Sequence, residues 1–300
     1  MDVRDLEVFL SVVKYLSFTR AGEEVHLSQP SVSVRMRQLE KGLGVKLFEQ
    51  LGKRVAPTEA GRLLEPYARR VVAAVEDAQH AMEEYRGLGC GSLKIGASTT
   101  PGMYLVPKII TRFKHRYPGI KIHLDINDTR WIENGVIRHE FDFGFVGGHL
   151  ISDELEILPW LTDEIVLAVP PGHLLSRKKP AKLRDLSGQQ FISREQGSAT
   201  QAAVSDKLKA VGVQLETVIE IGNPEALKQG IQSGLGVAFL SKFAIVAELR
   251  AKTLVAVKVR GLTVTRELRI VYRKDKHLHR AAKAFIAIAR EESASELSAK

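Results

Sequence analysis

Three hundred residues, 44 % of them apolar, are enough to bury about two separate cores. The net charge of +9 does not itself mark a nucleic-acid binder, because residues 1–90 hold 13 Lys plus Arg against 13 Asp plus Glu and the excess lies downstream. The lone Cys90 excludes an intrachain disulfide, the charged start (Asp2, Arg4, Asp5, Glu7) excludes a signal peptide, and no apolar run approaches the roughly 18 residues that cross a bilayer, so a reducing cytoplasm and no membrane contact are expected.

Leu6, Phe9, Leu10, Val13 and Leu16 form an apolar stripe that predicts a helix from about Val3 to Tyr15. Phe18, Ala21, Gly22 and Val25 recur at three to four residues and predict a short second helix. Leu27 then fills a turn, and Ser28-Gln-Pro opens a third helix with Ser28 as N-cap and Pro30 in the first turn. Its apolar positions Val32, Met36, Leu39 and Leu43 leave Gln29, Ser31, Ser33, Val34, Arg35 and Arg37 off the core side. This is a helix-turn-helix pattern, whose polar edge suits the major groove and whose N-terminus suits phosphate. The candidate DNA contacts are therefore Arg20, Ser28, Gln29, Pro30, Ser31, Ser33, Val34, Arg35 and Arg37; a pair of ordinary surface helices is the plain alternative. Val45, Leu47 and Phe48 precede Leu51-Gly-Lys-Arg-Val-Ala-Pro, which reads as a hairpin wing presenting Lys53 and Arg54. From Ser17 to Thr58 there are 7 basic against 4 acidic residues, a local basic patch.

From Thr58 to about Arg86 one long helix is predicted, with Leu63, Tyr67, Val71, Ala74, Ala78, Met82 and Tyr85 on a stripe and Pro66 perturbing its start. The stripe needs a partner, either the same helix of a second copy or the chain's own C-terminal part. Gly87-Leu-Gly-Cys-Gly then reads as a joint.

Beyond the joint, strands and helices alternate as in parallel βαβ units. The first set is strand 92–97, helix 102–117, and strands 120–126 and 141–146. The second is strands 164–169 and 190–193, helix 199–211, strand 216–221, helix 224–233 and strand 236–240. A return to the first set follows, with strand 267–272 and a helix from about 278 to 290, ahead of a polar tail at 291–300 expected to be disordered. Two α/β subdomains joined by crossovers near 161–163 and 265–267 resemble a periplasmic-type solute-binding fold. In such sheets ligands bind past the carboxyl ends of strands, against helix N-termini. Three loops have that chemistry: Ser98-Thr99-Thr100, the run from Ser193 through Arg194, Ser198 and Thr200, and Gly222-Asn223. Phe145, Val146 and Gly147 would join them in a cleft. Each loop also reads as a simple helix cap.

Leu6-Glu-Val-Phe, Ser17-Phe-Thr-Arg-Ala, Leu27-Ser-Gln-Pro-Ser-Val-Ser, Leu39-Glu-Lys-Gly-Leu-Gly-Val-Lys-Leu-Phe-Glu and Pro57-Thr-Glu-Ala-Gly, in this order and spacing, resemble the N-terminal domain of LysR-type transcriptional regulators. A looser resemblance runs over nearly the whole chain. It implies a fold of a winged helix-turn-helix at 1–58, a dimerising linker helix at 59–88 and a two-subdomain α/β effector domain at 89–300, split as 91–161 with 267–300 and 162–266. It also implies promoter DNA, RNA polymerase and a second copy as partners, in homodimers or dimers of dimers, and a small effector bearing a carboxylate or phosphate, with no other cofactor. The Arg194-Glu-Gln-Gly-Ser run resembles a motif of carbon-fixation and sulfur-assimilation regulators. Val34 stands where the family often has a basic residue, and Gln50 and Leu51 replace a commonly basic and small pair.

Solute-binding folds also host enzymes, which leaves an enzyme or binding protein with an accessory N-terminal domain as the alternative. No nucleophile elbow, zinc-protease or phosphate-loop motif occurs. Gly234-Leu-Gly-Val-Ala-Phe leads from a helix into a strand and reads as a helix C-cap, and His277 and His279 lack partners at metal spacing.

Overall fold

The computed structural model describes residues 1–51, 54–85, 91–148, 150, 152–178, 180–276 and 278–298, with backbone alone at 51, 54, 80, 83–85 and 293–298. Lys53, Cys90, His277 and most of the predicted joint thus lie outside the described residues, as does the Arg54 side chain. The chain divides into two compact units, Met1–Gly87 and Leu88–Lys300.

In the first unit, helices α1 (Val3–Tyr15), α2 (Phe18–Glu24) and α3 (Gln29–Leu43) pack around Val8, Phe9, Val12, Ala21, Val32, Met36 and Leu39. A capping box between Asp2 and Asp5 starts α1, and Ser17 and Ser28 cap α2 and α3. Leu16 and Leu43, predicted to close the apolar stripes, are exposed instead. Leu16 is the left-handed C-cap of α1, and Leu43 is the last residue of α3 before the left-handed Gly44, so each chain end turns away from the core. The turn between α2 and α3 is tight enough that a Cβ on Gly22 would stand 2.5 Å from the Leu27 carbonyl oxygen. Strands β1 (Phe48–Leu51) and β2 (Arg54–Pro57) pair antiparallel as a hairpin. Phe48 meets Phe9 and Phe18 with ring centroids 5.4 and 5.9 Å apart, which seats the hairpin on the helices.

Helix α4 (Glu59–Tyr85) starts where the Thr58 hydroxyl accepts from the Gly61 amide, and it contains Pro66. Ala68, with Leu64 and Val72 beside it, belongs to the first core. The predicted stripe of Leu63, Tyr67, Val71, Ala74, Ala78 and Met82 is exposed.

In the second unit, β3 (Gly91–Ser98), β4 (Ile120–Asn127) and β5 (Phe143–Gly147) are parallel. Helices α5 (Thr99–Tyr104), α6 (Val106–Arg116) and α7 (Thr129–Ile137) connect them. The single helix predicted over 102–117 is broken at Leu105, because Pro107 has no N–H to continue the ladder. The next strand, β6 (Leu155–Val169), is 15 residues long, so the predicted 164–169 is only its second half. After it come β7 (Ala181–Lys182), β8 (Phe191–Ser193), α8 (Ala199–Ala210), β9 (Thr217–Glu220), α9 (Pro224–Gln232), β10 (Ala238–Ser241), α10 (Val246–Ala251), β11 (Val255–Val257), β12 (Val259–Arg260), β13 (Val264–Arg273) and α11 (Arg280–Ser298). Helix α11 continues through most of the tail expected to be disordered.

The main sheet runs β10-β6-β13-β5-β3-β4. Strands β6 and β13 pair antiparallel from Leu155 with Arg273 to Ile165 with Val264, so the predicted crossovers lie inside continuous paired strands, one at the middle of β6 and the other at the start of β13. Lobe 1 stacks β3, β5 and β13 against α6 and α11, and α7 covers the opposite face. Lobe 2 sets β10 and β11 beside the second half of β6, with β8 and β9 parallel to each other and a bridge from Phe191 to Val237.

Candidate functional site

Two surfaces carry the chemistry the sequence points to, one in each unit. In the first, α3 presents Ser28, Gln29, Pro30, Ser31, Val34 and Arg37 to solvent, and Arg20 is exposed on α2. The Ser28 hydroxyl accepts from the Ser31 amide at 3.3 Å, so the first free N–H groups of α3 lie at an open end. Gln29 donates to the Ser33 hydroxyl at 3.0 Å and Arg37 to the Ser33 carbonyl at 3.3 Å. Arg35 is placed differently from its neighbours. It is half-buried, with Nη1 2.8 Å from Asp5 and 3.9 Å from Asp2 of the N-terminal segment, so its guanidinium braces α3 on α1. Gln38 and Lys41 share the outward line of α3, which the sequence reading left out although their offsets from Val34, four and seven residues, are the signal that finds them.

The hairpin is held to α3 by Glu40. Its carboxylate is buried and accepts from the Leu47 amide at 2.9 Å and Lys46 at 2.7 Å. Burial opposes ionisation, but Lys46 and the amides of Leu47 and Phe48 outweigh it and hold the Glu40 carboxyl below the usual carboxylate range.

The second surface is a narrow pocket between the lobes of the C-terminal unit, open in part to solvent, with a cavity volume of about 20 Å³. The carboxyl ends of the parallel strands supply Ser98, Thr99 and Thr100 after β3 and Asp128 and Thr129 after β4. The loop from β8 into α8 supplies Arg194, Glu195, Gly197, Ser198, Ala199 and Thr200, and β13 supplies Arg266. Thr100, Arg194, Ser198, Thr200 and Arg266 are all buried.

Arg194 is fixed by two 2.7 Å bonds to Glu195 and one of 3.2 Å to the Gly222 carbonyl. Arg266 donates to Asp163 at 2.9 Å and to the Thr100 hydroxyl at 2.7 Å, and Ser241 donates to the other oxygen of Asp163 at 2.7 Å. Burial depresses the Arg266 pKa, Asp163 opposes that, and the positive charge of Arg194 adds to the depression. Two guanidinium groups thus border one small, partly open space lined with hydroxyls, each already paired with a carboxylate, Arg194 with Glu195 and Arg266 with Asp163, so a polar ligand there would meet positioned N–H and O–H donors rather than uncompensated charge.

The pocket brings together Ser98, Thr99, Thr100, Arg194, Ser198 and Thr200 of the predicted set. Five predicted residues, Phe145, Val146, Gly147, Ser193 and Asn223, are not among those that line it. Phe145 and Val146 are fully buried and, as successive residues of a strand, point into the two opposite cores of lobe 1. Asn223 is exposed and spends its side chain capping α9 through the Glu225 and Ala226 amides. Ser193 ends β8, its carbonyl accepting from Ile221. Gly147 stays beside the pocket: its carbonyl accepts from Thr129 at 2.8 Å, and a Cβ there would meet Arg266 Nη1 at 3.4 Å. Arg266 escaped the sequence reading, yet it occupies an inward position in the alternation Val264, Arg266, Leu268, which was the available signal. Among the described residues no group of His, Cys, Asp and Glu could hold a metal ion, and no helix is long and apolar enough to cross a membrane.

Residues 3–62 match the family of bacterial regulatory helix-turn-helix proteins of the lysR type, and residues 86–294 match the LysR substrate binding domain. The chain is 37 % identical over 284 residues to the uncharacterized HTH-type transcriptional regulator YeiE of Escherichia coli, covering 95 % of both chains. It is 34 % identical over 285 residues to the RuBisCO operon transcriptional regulator of Allochromatium vinosum, covering 95 % of this chain and 94 % of that one. The regulatory domain of Synechocystis PCC6803 CcmR, solved in complex with 2-PG, superposes with a TM-score of 0.64 at 26 % identity, covering 68 % of this chain and 97 % of that one. With a winged helix-turn-helix in one unit and a two-lobed effector-binding domain in the other, the chain belongs to the LysR family of transcriptional regulators.

Proposed function

We propose that this regulator senses a small anionic metabolite in the pocket between its lobes and answers by changing how it holds promoter DNA. The observation that carries the reading is that two buried guanidinium groups, Arg194 held by Glu195 and Arg266 held by Asp163, border one space with the hydroxyls of Ser98, Thr99, Thr100, Ser198 and Thr200. The 2-PG in complex with the CcmR regulatory domain supports a small-molecule ligand. The names of the relatives support a role in regulation without a catalytic step. In this reading Gln29, Ser31, Ser33, Val34 and Arg37 face base edges, Arg20, Ser28 and Pro30 face the backbone, and Lys53 and Arg54 of the wing reach an adjacent groove. Arg35 acts from its brace on Asp5 rather than from the groove.

Residues 1–58 serve as the DNA-binding domain and 59–88 as the linker. The effector domain is 89–300, with lobes at 91–161 plus 267–300 and at 162–266. The open stripe of Leu63, Tyr67, Val71 and Met82 on α4 supports pairing with a second copy, and dimers of dimers would span two sites on DNA. RNA polymerase is the further partner and the cytoplasm the compartment.

The test is a thermal-shift screen of the full-length protein against small carboxylates, phosphates and inorganic oxyanions, 2-PG included. A true ligand at 100-fold its Kd stabilises by about 2.7 kcal/mol, and Thr100→Val should weaken that response without changing basal DNA affinity. No saturable shift across the panel, or an unchanged response in Thr100→Val, would refute the assignment.

A further inference from the structure

The outward line of α3 changes chemistry along its length. Opposite the buried Val32, Met36 and Leu39 it runs Pro30, Val34, Arg37, Gln38 and Lys41, all exposed. Its first two members are apolar and one helical turn apart. Val34 is 45 % exposed and shares a shallow surface groove with Asp2, Asp5, Pro30, Ser31, Arg35 and Gln38. Of the polar groups beside it, Gln29 donates to Ser33, Arg37 donates to the Ser33 carbonyl and Arg35 is neutralised by Asp5 and Asp2, while Gln38 is exposed one turn further along. At the centre of the helix face that would meet base edges, the protein therefore offers a branched aliphatic group.

We propose that Val34 is a specificity-determining residue that reads the C5-methyl group of a thymine in the major groove. The assignment rests on α3 lying in that groove. Thymine alone among the four bases presents a methyl group there, beside its O4 acceptor, while the other edges present N7, O6, N4 or N6 atoms. An isopropyl group pressed on those atoms strips their water and returns no hydrogen bond, so guanine, adenine and cytosine are disfavoured at this position. Pro30, one turn earlier, extends the same apolar surface. Arg35 is then a positioning residue, which fixes the angle of α3 through Asp5 while its charge is cancelled beside the methyl site.

Deoxyuridine isolates the methyl group, since it keeps every hydrogen-bonding atom of thymine. The full-length protein is first used to select its tightest duplex from a random-sequence library at fixed salt. Each thymine of that duplex is then replaced singly by deoxyuridine, and binding is measured for the native protein and for Val34→Ala. One thymine should exist whose replacement weakens native binding about fourfold, the effect of one methyl group removed from water. Val34→Ala should lose that sensitivity at the same thymine, and its melting temperature should match the native value because Val34 is exposed. Tolerance of deoxyuridine at every position, or equal sensitivity in Val34→Ala, would overturn the proposal. A library that enriches no duplex would overturn the placement of α3 in the groove, and the assignment of Val34 with it.

Discussion

Asp163→Ala should destabilise the C-terminal unit far more than an ordinary buried substitution, because it strands a charge. Asp163 is fully buried at the middle of β6, where the strand passes from lobe 1 to lobe 2. It accepts from Ser241 at 2.7 Å and from Arg266 Nε at 2.9 Å, and its Oδ2 lies 2.8 Å from Arg266 Nη2. Without it Arg266 keeps only its bond to Thr100 in this network, and its guanidinium has lost its counter-ion. Removing one partner of a buried ion pair costs about 3–5 kcal/mol, against about 5–15 kcal/mol of total stability for a typical domain. Replacing both partners, Asp163→Leu with Arg266→Met, leaves no isolated charge and should recover at least about 2 kcal/mol of that loss. Urea unfolding followed by tryptophan fluorescence isolates the effect, since Trp131 and Trp160 both lie in residues 88–300. A loss for Asp163→Ala within the roughly 0.5 kcal/mol range of surface changes, or a double variant no more stable than the single one, would refute the reasoning.

Gly22→Ala tests the helix-helix turn: with the Leu27 carbonyl oxygen 2.5 Å from the new Cβ, α2 and α3 must separate, and DNA binding should fall along with the stability of the first unit, read by hydrogen exchange at α2 and α3 amides. Unchanged protection at those amides would show that the turn can relax. Asp142 tests pH linkage. It is buried; that burial is outweighed by His279, Lys276 at 2.8 Å and the Lys94 amide at 2.7 Å, so its folded pKa lies below the ordinary value. A depressed carboxyl contributes stability that is present above about pH 4 and is lost as pH falls toward the folded pKa. Asp142→Asn should therefore be less stable at neutral pH and lose less on acidification; urea midpoints from about pH 5 to pH 2.5 that fall as steeply as in the native protein would contradict this.

Local signals in the chain were read well where one short segment carried the whole physical cause. Ser28 ahead of Gln29-Pro30 caps a helix because its hydroxyl reaches the Ser31 amide three residues on, a contact that needs no other part of the fold. The hairpin after Phe48 and the αL glycine after α9 at Gly234 belong to the same class. Readings failed where the cause was remote. Phe145 and Val146 were assigned to a cleft because they end a strand, but covering both faces of the sheet with helices takes both side chains into cores. Asn223 has the right chemistry for a ligand and uses it on its own helix.

The sequence by itself determined the helix-turn-helix, its caps and the family, because these rest on periodicity and on contacts a few residues apart, while helix α7 and the short strands β7, β11 and β12 of lobe 2 were not legible in it. Only the tertiary structure decided which polar residues share a site. Arg266 reaches Thr100 across 166 positions and Asp163 across 103, and Arg35 reaches Asp5 across 30. Such partners are chosen by strand pairing and helix packing, and a guanidinium on a strand looks the same in the chain whether it ends in solvent or beside a buried carboxylate.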